Sequence, residues 1–177
     1  MANLDTARSP GEDIDRLDTI VHYICAFANR RSPMDTDKLN RILLYSDMCS
    51  TLCYGVSITC AVYHKRQHGI VPDGIANAVN RLLHYKRILE EMNLSHGIFR
   101  QKFFAIKEPD SCLISSKDKS IIQTVAMIVD SRQNVASCLV SAYNYIWISA
   151  KVGDEVLLPS CLDTCAGAQG HSSLTQT

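Results

Sequence analysis

The sequence predicts a single compact α+β domain that is mostly helical and contains a small antiparallel β-hairpin. Apolar residues recur at three- and four-residue steps over most of the chain, which is the period of an amphipathic helix. Two stretches, residues 56–66 and 98–107, alternate as strands do. A chain of 177 residues has the length of one domain, and such a domain buries about 70% of its unfolded surface.

The first two helices are predicted from their apolar period and their ends. Apolar steps run from Ile14 to Phe27, and Pro33 excludes a continuation of this helix. A second helix is predicted to begin at Asp35-Thr36-Asp37, since these side-chain oxygens accept hydrogen bonds from first-turn amides. It is predicted to end at Gly55, because glycine readily adopts the left-handed conformation that ends helices.

The predicted hairpin lies in the middle of the chain, between helices. Residues 56–66 form its first strand, followed by a turn at His68-Gly69, and residues 98–107 form a second strand that pairs with the first. Residues 75–93 have a helical period, and His96-Gly97 interrupts it. Two strands alone are marginally stable, so we expect this hairpin to pack on helices.

Two helices are predicted to complete the domain. Ser115-Ser116-Lys117-Asp118 has the pattern of a capping box and opens a helix that reaches Val129, and another helix spans residues 135–151. The domain is predicted over residues 13–165. Residues 1–12 lack an apolar period and indicate a flexible lead, whereas the Gly-, Ser-, Thr- and Gln-rich residues 166–177 indicate a disordered tail.

Charge and hydropathy exclude several classes of function. The chain has 18 basic and 18 acidic side chains, so its formal charge does not favour nucleic-acid binding, although a local basic patch is compatible with it. No apolar run approaches the roughly 18 residues that span a bilayer, and the N-terminal residues lack the pattern of a signal peptide. We therefore expect a cytoplasmic protein that does not bind membranes.

Motif searches give no catalytic, cofactor or metal site. The chain lacks a Gly-rich phosphate loop, a Gly-x-Ser-x-Gly elbow and a His-Glu-x-x-His pair. Cys60, His64 and His68 share one face of the predicted strand, but each lies about 13 Å from the next at strand rise, which is too far for one ion. The eight cysteines are read as buried or unreactive thiols, with metal and redox roles as alternatives. Catalysis by one of these thiols is a further alternative.

A basic stretch marks the candidate partner-binding surface. It comprises the predicted hairpin residues Tyr63, Lys65, Arg66, His68, Arg100 and Lys102. Basic residues of this kind suit an acidic protein partner, and a solvated face without a partner is the alternative. Tyr45 and Asp47 either fix the second helix to the hairpin or face a partner. Trp147 is either a core residue or an interface anchor.

A set of residues in fixed order gives a family resemblance. The segment from Lys38 to Asp47 reads as a helix, then Tyr54-Gly55 follows, and Gly69 precedes Pro72. Pro109, Trp147, Gly153 and Pro159 come later in the chain. The order and spacing of this set, over roughly residues 19–162, resemble the Panacea domain, the SocA-like antitoxin family that includes GepA-like phage-associated proteins.

The resemblance implies a mostly helical fold and a role in a toxin-antitoxin system of a mobile genetic element. Members of the family neutralise toxins by direct binding, and some deliver a toxin to a protease. The family is not an established enzyme family and has no known cofactor. Two positions depart from its pattern. Ile70 follows Gly69 where the family often has proline, and Ala142 follows Ser141 where it often has histidine, so a polar site there is weakened.

The expected function is that of an antitoxin-like protein that binds a cognate toxin, encoded by an adjacent gene. The alternative is a proteolytic adaptor, or a phage or mobile-element protein that binds a host or defence factor. Most positions that match the family pattern are read as structural. They are Lys38, Leu39, Asp47, Tyr54, Gly55, Gly69, Pro72, Pro109, Trp147, Gly153 and Pro159.

Overall fold

The computed structural model describes residues 15–29, 31–95, 98–131 and 137–158, and it confirms the mostly helical α+β fold. The predicted lead and tail, residues 1–12 and 166–177, lie outside the described residues. The elements in chain order are α1 (Arg16–Ala28), α2 (Thr36–Tyr54), β1 (Tyr63–Arg66), β2 (Gly69–Pro72), α3 (Ile75–His84), β3 (Ile88–Ser95), β4 (Ile98–Ala105), a 3-10 turn (Ser111–Leu113), α4 (Ser116–Ser131), α5 (Ser137–Ser149) and β5 (Glu155–Val156).

Helix α2 lies at the centre of the core. Every residue from 42 to 48 is buried, so the middle of this helix is covered on all sides. It packs against α4, α5 and strand β2. Buried apolar side chains from all five helices and from both sheets belong to one cluster, which makes the described chain a single domain.

The first two helices begin and end as their sequences predict. The Asp15 carboxylate accepts a hydrogen bond from the Asp18 backbone N–H at 3.0 Å, and the Asp18 carboxylate accepts one from the Asp15 backbone N–H at 3.3 Å, which completes a capping box. The Asp35 carboxylate accepts from the Lys38 N–H at 2.8 Å. Gly55 ends α2 with φ +72°, in the left-handed region.

Asp47 connects α2 to the segment that follows it. Its carboxylate has no exposed surface and accepts the Ile58 and Thr59 backbone N–H groups at 2.7 and 2.9 Å. The Tyr63 hydroxyl donates to the same carboxylate at 2.7 Å, and the Thr59 hydroxyl also donates to it. These four hydrogen bonds satisfy a buried charge and hold residues 58–63 against the helix.

The predicted first strand is therefore too long, because β1 begins only at Tyr63 and not at residue 56. Backbone N–H groups that a strand would pair are instead taken by side chains, including that of Ala61, which donates to the Thr59 hydroxyl at 3.0 Å. Cys60 has φ +58°, which no regular strand allows. The alternating β-branched residues before Tyr63 pack as an irregular loop around a buried carboxylate.

The predicted helix over residues 75–93 is also wrong in its second half, which forms β3. Lys86 takes a left-handed conformation with φ +51°. Its N–H donates to the Leu83 carbonyl at 3.0 Å, and the Arg87 N–H donates to the Leu82 carbonyl at 2.8 Å. This is the Schellman pattern that ends helices, here without the glycine that usually marks it in a sequence.

The strands form two separate antiparallel sheets. One has the order β2-β1-β5, and the other contains β3 and β4 paired over their full length. The predicted pairing of residues 56–66 with residues 98–107 is therefore wrong. Only Gln67 and His68 separate β1 from β2, and closing so short a turn costs less entropy than closing a long loop.

Ion pairs join helices that are far apart in the sequence. The Lys38 ammonium lies 2.6 Å from the Asp130 carboxylate, and this hydrogen bond lowers the pKa of Asp130. The Asp118 backbone N–H donates to the Ser115 hydroxyl at 3.1 Å, as the capping pattern predicts. The Asp118 carboxylate forms an ion pair with Arg16 of α1 instead of completing a capping box. The other interhelical pairs are Arg16–Asp118 at 3.3 Å and Arg81–Asp18 at 2.7 Å.

Most positions of the family pattern are buried or lie at turns of the backbone, as a structural role predicts. Leu39 and Pro72 are buried, and Gly153 has φ +100°, which favours glycine. Tyr54 differs because it is 54% exposed, with the Lys117 ammonium 4.2 Å from the centre of its ring. Pro109 is half-buried. Pro159 lies outside the described residues.

Helix α5 has an unusual composition for a helix at the surface. It contains no charged residue, yet Tyr145 and Ile148 are 75% and 80% exposed. A helix that is apolar on all sides is normally buried on all sides. None of the helices that the structure describes is both long and apolar enough to cross a membrane.

We expect Asp47→Asn to lower the free energy of unfolding by about 3 kcal/mol, because an amide replaces one acceptor oxygen with a donor that faces other donors. Urea denaturation followed by circular dichroism measures this change. Asp37→Asn is the matched control on the exposed side of the same helix, and it should cost less than about 1 kcal/mol. Equal stability of the two variants would contradict the role of Asp47.

We also expect the protein to lose stability as the pH falls from about 7.5 to about 5.5. His22 is buried, and its Nε2 lies 3.0 Å from the Lys107 carbonyl oxygen. Burial, aided by the nearby Arg87 charge, lowers the pKa of His22 below its ordinary value of 6.5. The unfolded chain therefore binds a proton in this range before the folded protein does, which favours unfolding.

Urea denaturation at the two pH values tests this linkage. His22→Gln should show a smaller loss of stability on acidification than the wild type, because it removes the titrating ring. His68→Gln, at an exposed histidine, should keep the wild-type pH dependence. A His22→Gln protein with an unchanged pH dependence would show that another group is responsible.

Candidate functional site

A groove of about 300 Å³ lies where α2, the β1–β2 turn and α5 meet, and we call it the basic groove. It contains two of the residues predicted to bind a partner, Arg66 and His68. Helix α2 forms one wall, the turn forms another, and an aromatic side chain of α5 closes one side. The lining residues are Asp37, Asn40, Arg41, Leu44, Arg66, Gln67, His68, Gly69, Ile70, Val71 and Tyr143.

The α2 wall follows from helical spacing. Asp37, Asn40, Arg41 and Leu44 are three or four residues apart and so lie on one face of the helix. The Asn40 Oδ1 atom is buried and has no hydrogen-bond partner among the described residues. An unpaired buried acceptor costs free energy, so a donor from a bound partner would be stabilised there.

The groove has an excess of positive charge. Arg41 is exposed, and its side chain makes no ion pair or hydrogen bond with the residues described. Arg66 is also largely exposed. Among the described residues its only ion pair is a long one, in which the guanidinium lies 3.8 Å from the Asp73 carboxylate. A surface pair of this kind contributes little free energy. His68 is exposed as well, and Asp37 is the sole carboxylate among the lining residues.

Aromatic rings form the α5 side of the groove. Tyr143 stacks on Trp147, with ring centres 6.2 Å apart and an angle of 9° between planes, and it meets Tyr45 edge-on at 6.1 Å. Burial raises the pKa of Tyr143, whereas the Arg41 charge opposes this shift. Tyr45 and Trp147 hold the Tyr143 ring in place. The ring therefore offers a partner a rigid apolar surface beside Arg41 and Arg66.

Two residues predicted to bind a partner belong to the framework instead. Tyr63 is 1% exposed, and its hydroxyl is committed to Asp47. The Lys65 ammonium donates to the Trp147 and Ala150 carbonyls at 2.5 and 2.9 Å and lies 4.1 Å from the centre of the Trp147 indole. Lys65 therefore caps the C-terminal end of α5, where a cation is favourable.

The remaining predicted residues lie on the other sheet. Lys102 is half-buried on β4, opposite Glu91 of β3. Arg100 also belongs to β4, but its side chain lies outside the described residues. Since β1 and β4 do not pair, the six residues do not form one hairpin surface. Arg66 and His68 alone among them line the basic groove.

Asn40, Arg41 and Tyr143 line the groove but are not among the residues predicted from the sequence to bind a partner. Asn40 and Arg41 could have been found from the helical spacing that starts at Asp37, opposite the apolar positions of α2. Tyr143 carries no comparable signal. Nothing in the sequence shows that α5 brings this ring to the β1–β2 turn, because that contact is purely tertiary.

The candidate metal and thiol sites have no support in the described chain. No group of three or more His, Cys, Asp or Glu side chains in these residues is arranged to hold a metal ion. Burial raises the pKa of the Cys25 thiol to about 12, which makes it unreactive. Cys53, Cys60 and Cys112 are exposed free thiols, so the expectation of buried or unreactive thiols holds for them only as unreactive ones, which stays a prediction. The side chains of Cys138, Cys161 and Cys165 lie outside the described residues.

Comparisons with known proteins do not extend the family resemblance. No family model, no curated protein and no solved structure matches this chain.

We expect Lys65→Met to lower the free energy of unfolding by about 2 kcal/mol, since it removes two charge-assisted hydrogen bonds and a cation–π contact. The fluorescence of Trp147, the only tryptophan, should shift to longer wavelength as the end of α5 loosens. Arg66→Met is the matched control on the same strand and should change stability by less than about 0.5 kcal/mol. Similar effects of both variants would contradict a structural role for Lys65.

Proposed function

We propose that this protein is an antitoxin-like binding module that neutralises a cognate toxin by direct contact in the cytoplasm. The observation that carries the proposal is the basic groove, which gathers the exposed side chains of Arg41, Arg66 and His68 around one concave surface. The resemblance to the Panacea domain supports the same function. Neutralisation by binding requires neither a catalytic step nor a cofactor.

The chemistry of the groove indicates an acidic segment on the toxin. Arginine guanidinium groups form paired hydrogen bonds with carboxylates, and two arginines face this groove from different elements. An apolar or aromatic residue next to the acidic ones would stack on Tyr143. A neighbouring N–H group would satisfy the unpaired Asn40 Oδ1. Together these features specify a partner by charge, stacking and hydrogen bonding.

A proteolytic adaptor is the second candidate, and the exposed face of α5 favours it. Adaptors bind a cargo and a protease at once, so they need two contact surfaces. Tyr145 and Ile148 lie on the outer side of α5, whereas Tyr143 of the same helix lines the basic groove. The same two surfaces suit a phage or mobile-element protein that bridges host factors.

Growth rescue tests the proposed function. The product of the adjacent gene is expressed alone, with this protein, and with the double variant Arg41→Glu and Arg66→Glu. We expect the neighbour to arrest growth, the wild type to restore it, and the double variant to bind the toxin at least about tenfold more weakly. The matched control reverses two exposed charges elsewhere, in Lys117→Glu and Lys151→Glu, and should rescue growth.

Each contrary outcome identifies the part of the proposal that fails. A harmless neighbour, or a toxic one that is not rescued, contradicts the antitoxin function. Rescue by a folded groove variant with unchanged affinity contradicts the groove as contact surface. Toxin levels that fall only when both this protein and a host protease are present identify the adaptor, since sequestration alone leaves the toxin intact.

A further inference from the structure

Among the described residues, one edge of the β3–β4 sheet is paired and the other is open. On the outer edge of β4, the Phe103 N–H donates to the Met34 carbonyl at 2.7 Å. The Ala105 N–H donates to the Asn29 side-chain oxygen at 3.1 Å, and the Asn29 amide donates back to the Ala105 carbonyl at 2.6 Å. This edge is therefore paired with other parts of the fold.

The register shows which groups the outer edge of β3 presents. In an antiparallel pair, residues that exchange hydrogen bonds alternate with residues whose N–H and C=O groups point away from the partner strand. The backbone N–H of Phe103 points away from β3, because it donates to Met34. The backbone N–H and C=O groups of its partner Glu90 must therefore point away from β4. By alternation Met92 does the same, opposite Gln101.

These outward groups have no partner in the described chain. The backbone groups of Glu90 and Met92 make no hydrogen bond with any described element outside the β3–β4 sheet. Met92 is 58% exposed and Leu89 is 47% exposed, so the edge is accessible to another molecule. An unpaired and accessible strand edge is a template for an added strand.

We propose that the outer edge of β3 binds an extended segment of a partner protein as an added strand, with two consecutive basic residues of that segment opposite Glu90 and Glu91. This inference goes beyond the proposed function, because it uses the β3–β4 sheet and not the basic groove. It adds a second, differently charged contact surface to the molecule.

Charge decides between a foreign segment and a second copy. Glu90 and Glu91 are adjacent on β3, so their side chains lie on opposite faces of the sheet. Pairing of β3 with the same strand of a second copy, centred there, would bring four carboxylates together, and like charges across strands are destabilising. Consecutive lysines or arginines on a foreign strand would instead face one carboxylate on each side.

A groove beside the sheet offers side-chain contacts to the added strand. It has a volume of about 190 Å³ and is bordered by Glu90 and Phe103 of the sheet and by Ile75, Val79 and Leu83 of α3. Alternate side chains of an added strand point to this face of the sheet. Apolar residues at these positions would contact α3, so backbone pairing provides affinity and the groove provides selectivity.

The test uses the full chain and a synthetic octapeptide with two central lysines flanked by alternating valine and threonine. Backbone amide exchange is followed by NMR with and without the peptide. In the free protein the Leu89 and Glu91 amides should be protected by β4, whereas the Glu90 and Met92 amides should exchange rapidly. Peptide binding should protect Glu90 and Met92 selectively, and a peptide with glutamates in place of the lysines should not bind.

Proline substitutions give a matched pair of variants. Met92→Pro removes an outward N–H from β3 and leaves the β3–β4 ladder intact, as proline does on edge strands. Gln101→Pro removes an outward N–H directly across the sheet, on the β4 edge, and with it the 2.7 Å hydrogen bond that the Gln101 amide donates to the Glu90 carboxylate, but it leaves the backbone of the β3 edge unchanged. We expect Met92→Pro to weaken peptide binding at least about tenfold and Gln101→Pro to change it less than about twofold.

Charge reversal gives a second measurement in case Met92→Pro does not fold. Glu90→Lys with Glu91→Lys should abolish binding of the lysine peptide and allow binding of the glutamate peptide. The inference is overturned by binding without protection of the Glu90 and Met92 amides, by no binding at about millimolar peptide, or by slow exchange of both amides in the free protein. A dimer that Met92→Pro dissociates would overturn it in favour of a second copy.

Discussion

The buried carboxylate of Asp47 is the interaction on which the rest of the structure depends. It lies on the central helix and accepts four hydrogen bonds from a segment that has no regular structure of its own. Through Tyr63 it fixes the start of β1, and β1 pairs with both other strands of its sheet. The position of the β1–β2 turn, and with it one wall of the basic groove, therefore depends on one side chain.

The division of cations between framework and surface gives the groove its character. Lys38, Lys65 and Arg81 are partly buried and are held by carboxylates or by helix carbonyls. Arg41 and Arg66 are exposed around a concave surface. Net charge does not reveal this division, because the chain as a whole is neutral. Glu90 and Glu91 lie on β3 of the other sheet, where Glu91 has Lys102 opposite it, so these carboxylates and the arginines of the groove occupy different parts of one small domain.

Errors in the sequence-based fold have definite physical causes. Residues 56–62 alternate like a strand, but the Asp47 carboxylate takes N–H groups that a strand would use. Helix α3 ends early because Lys86 adopts a conformation that sequences usually mark with glycine. Strand pairing went wrong because both sheets are small, and alternation alone does not specify a partner. The caps at Asp35 and Gly55, which act locally, were predicted correctly.

The sequence by itself determined the fold class, the ends of α2 and the separation of apolar from polar helix faces. These features depend on residues close together in the chain, so local periodicity and capping chemistry specify them. Tertiary structure decided that Tyr63 and Lys65 serve the core, that Arg41 and Tyr143 share a groove, and that no other described strand pairs with the outer edge of β3. Those facts depend on which distant elements meet, and a linear pattern carries no record of that contact.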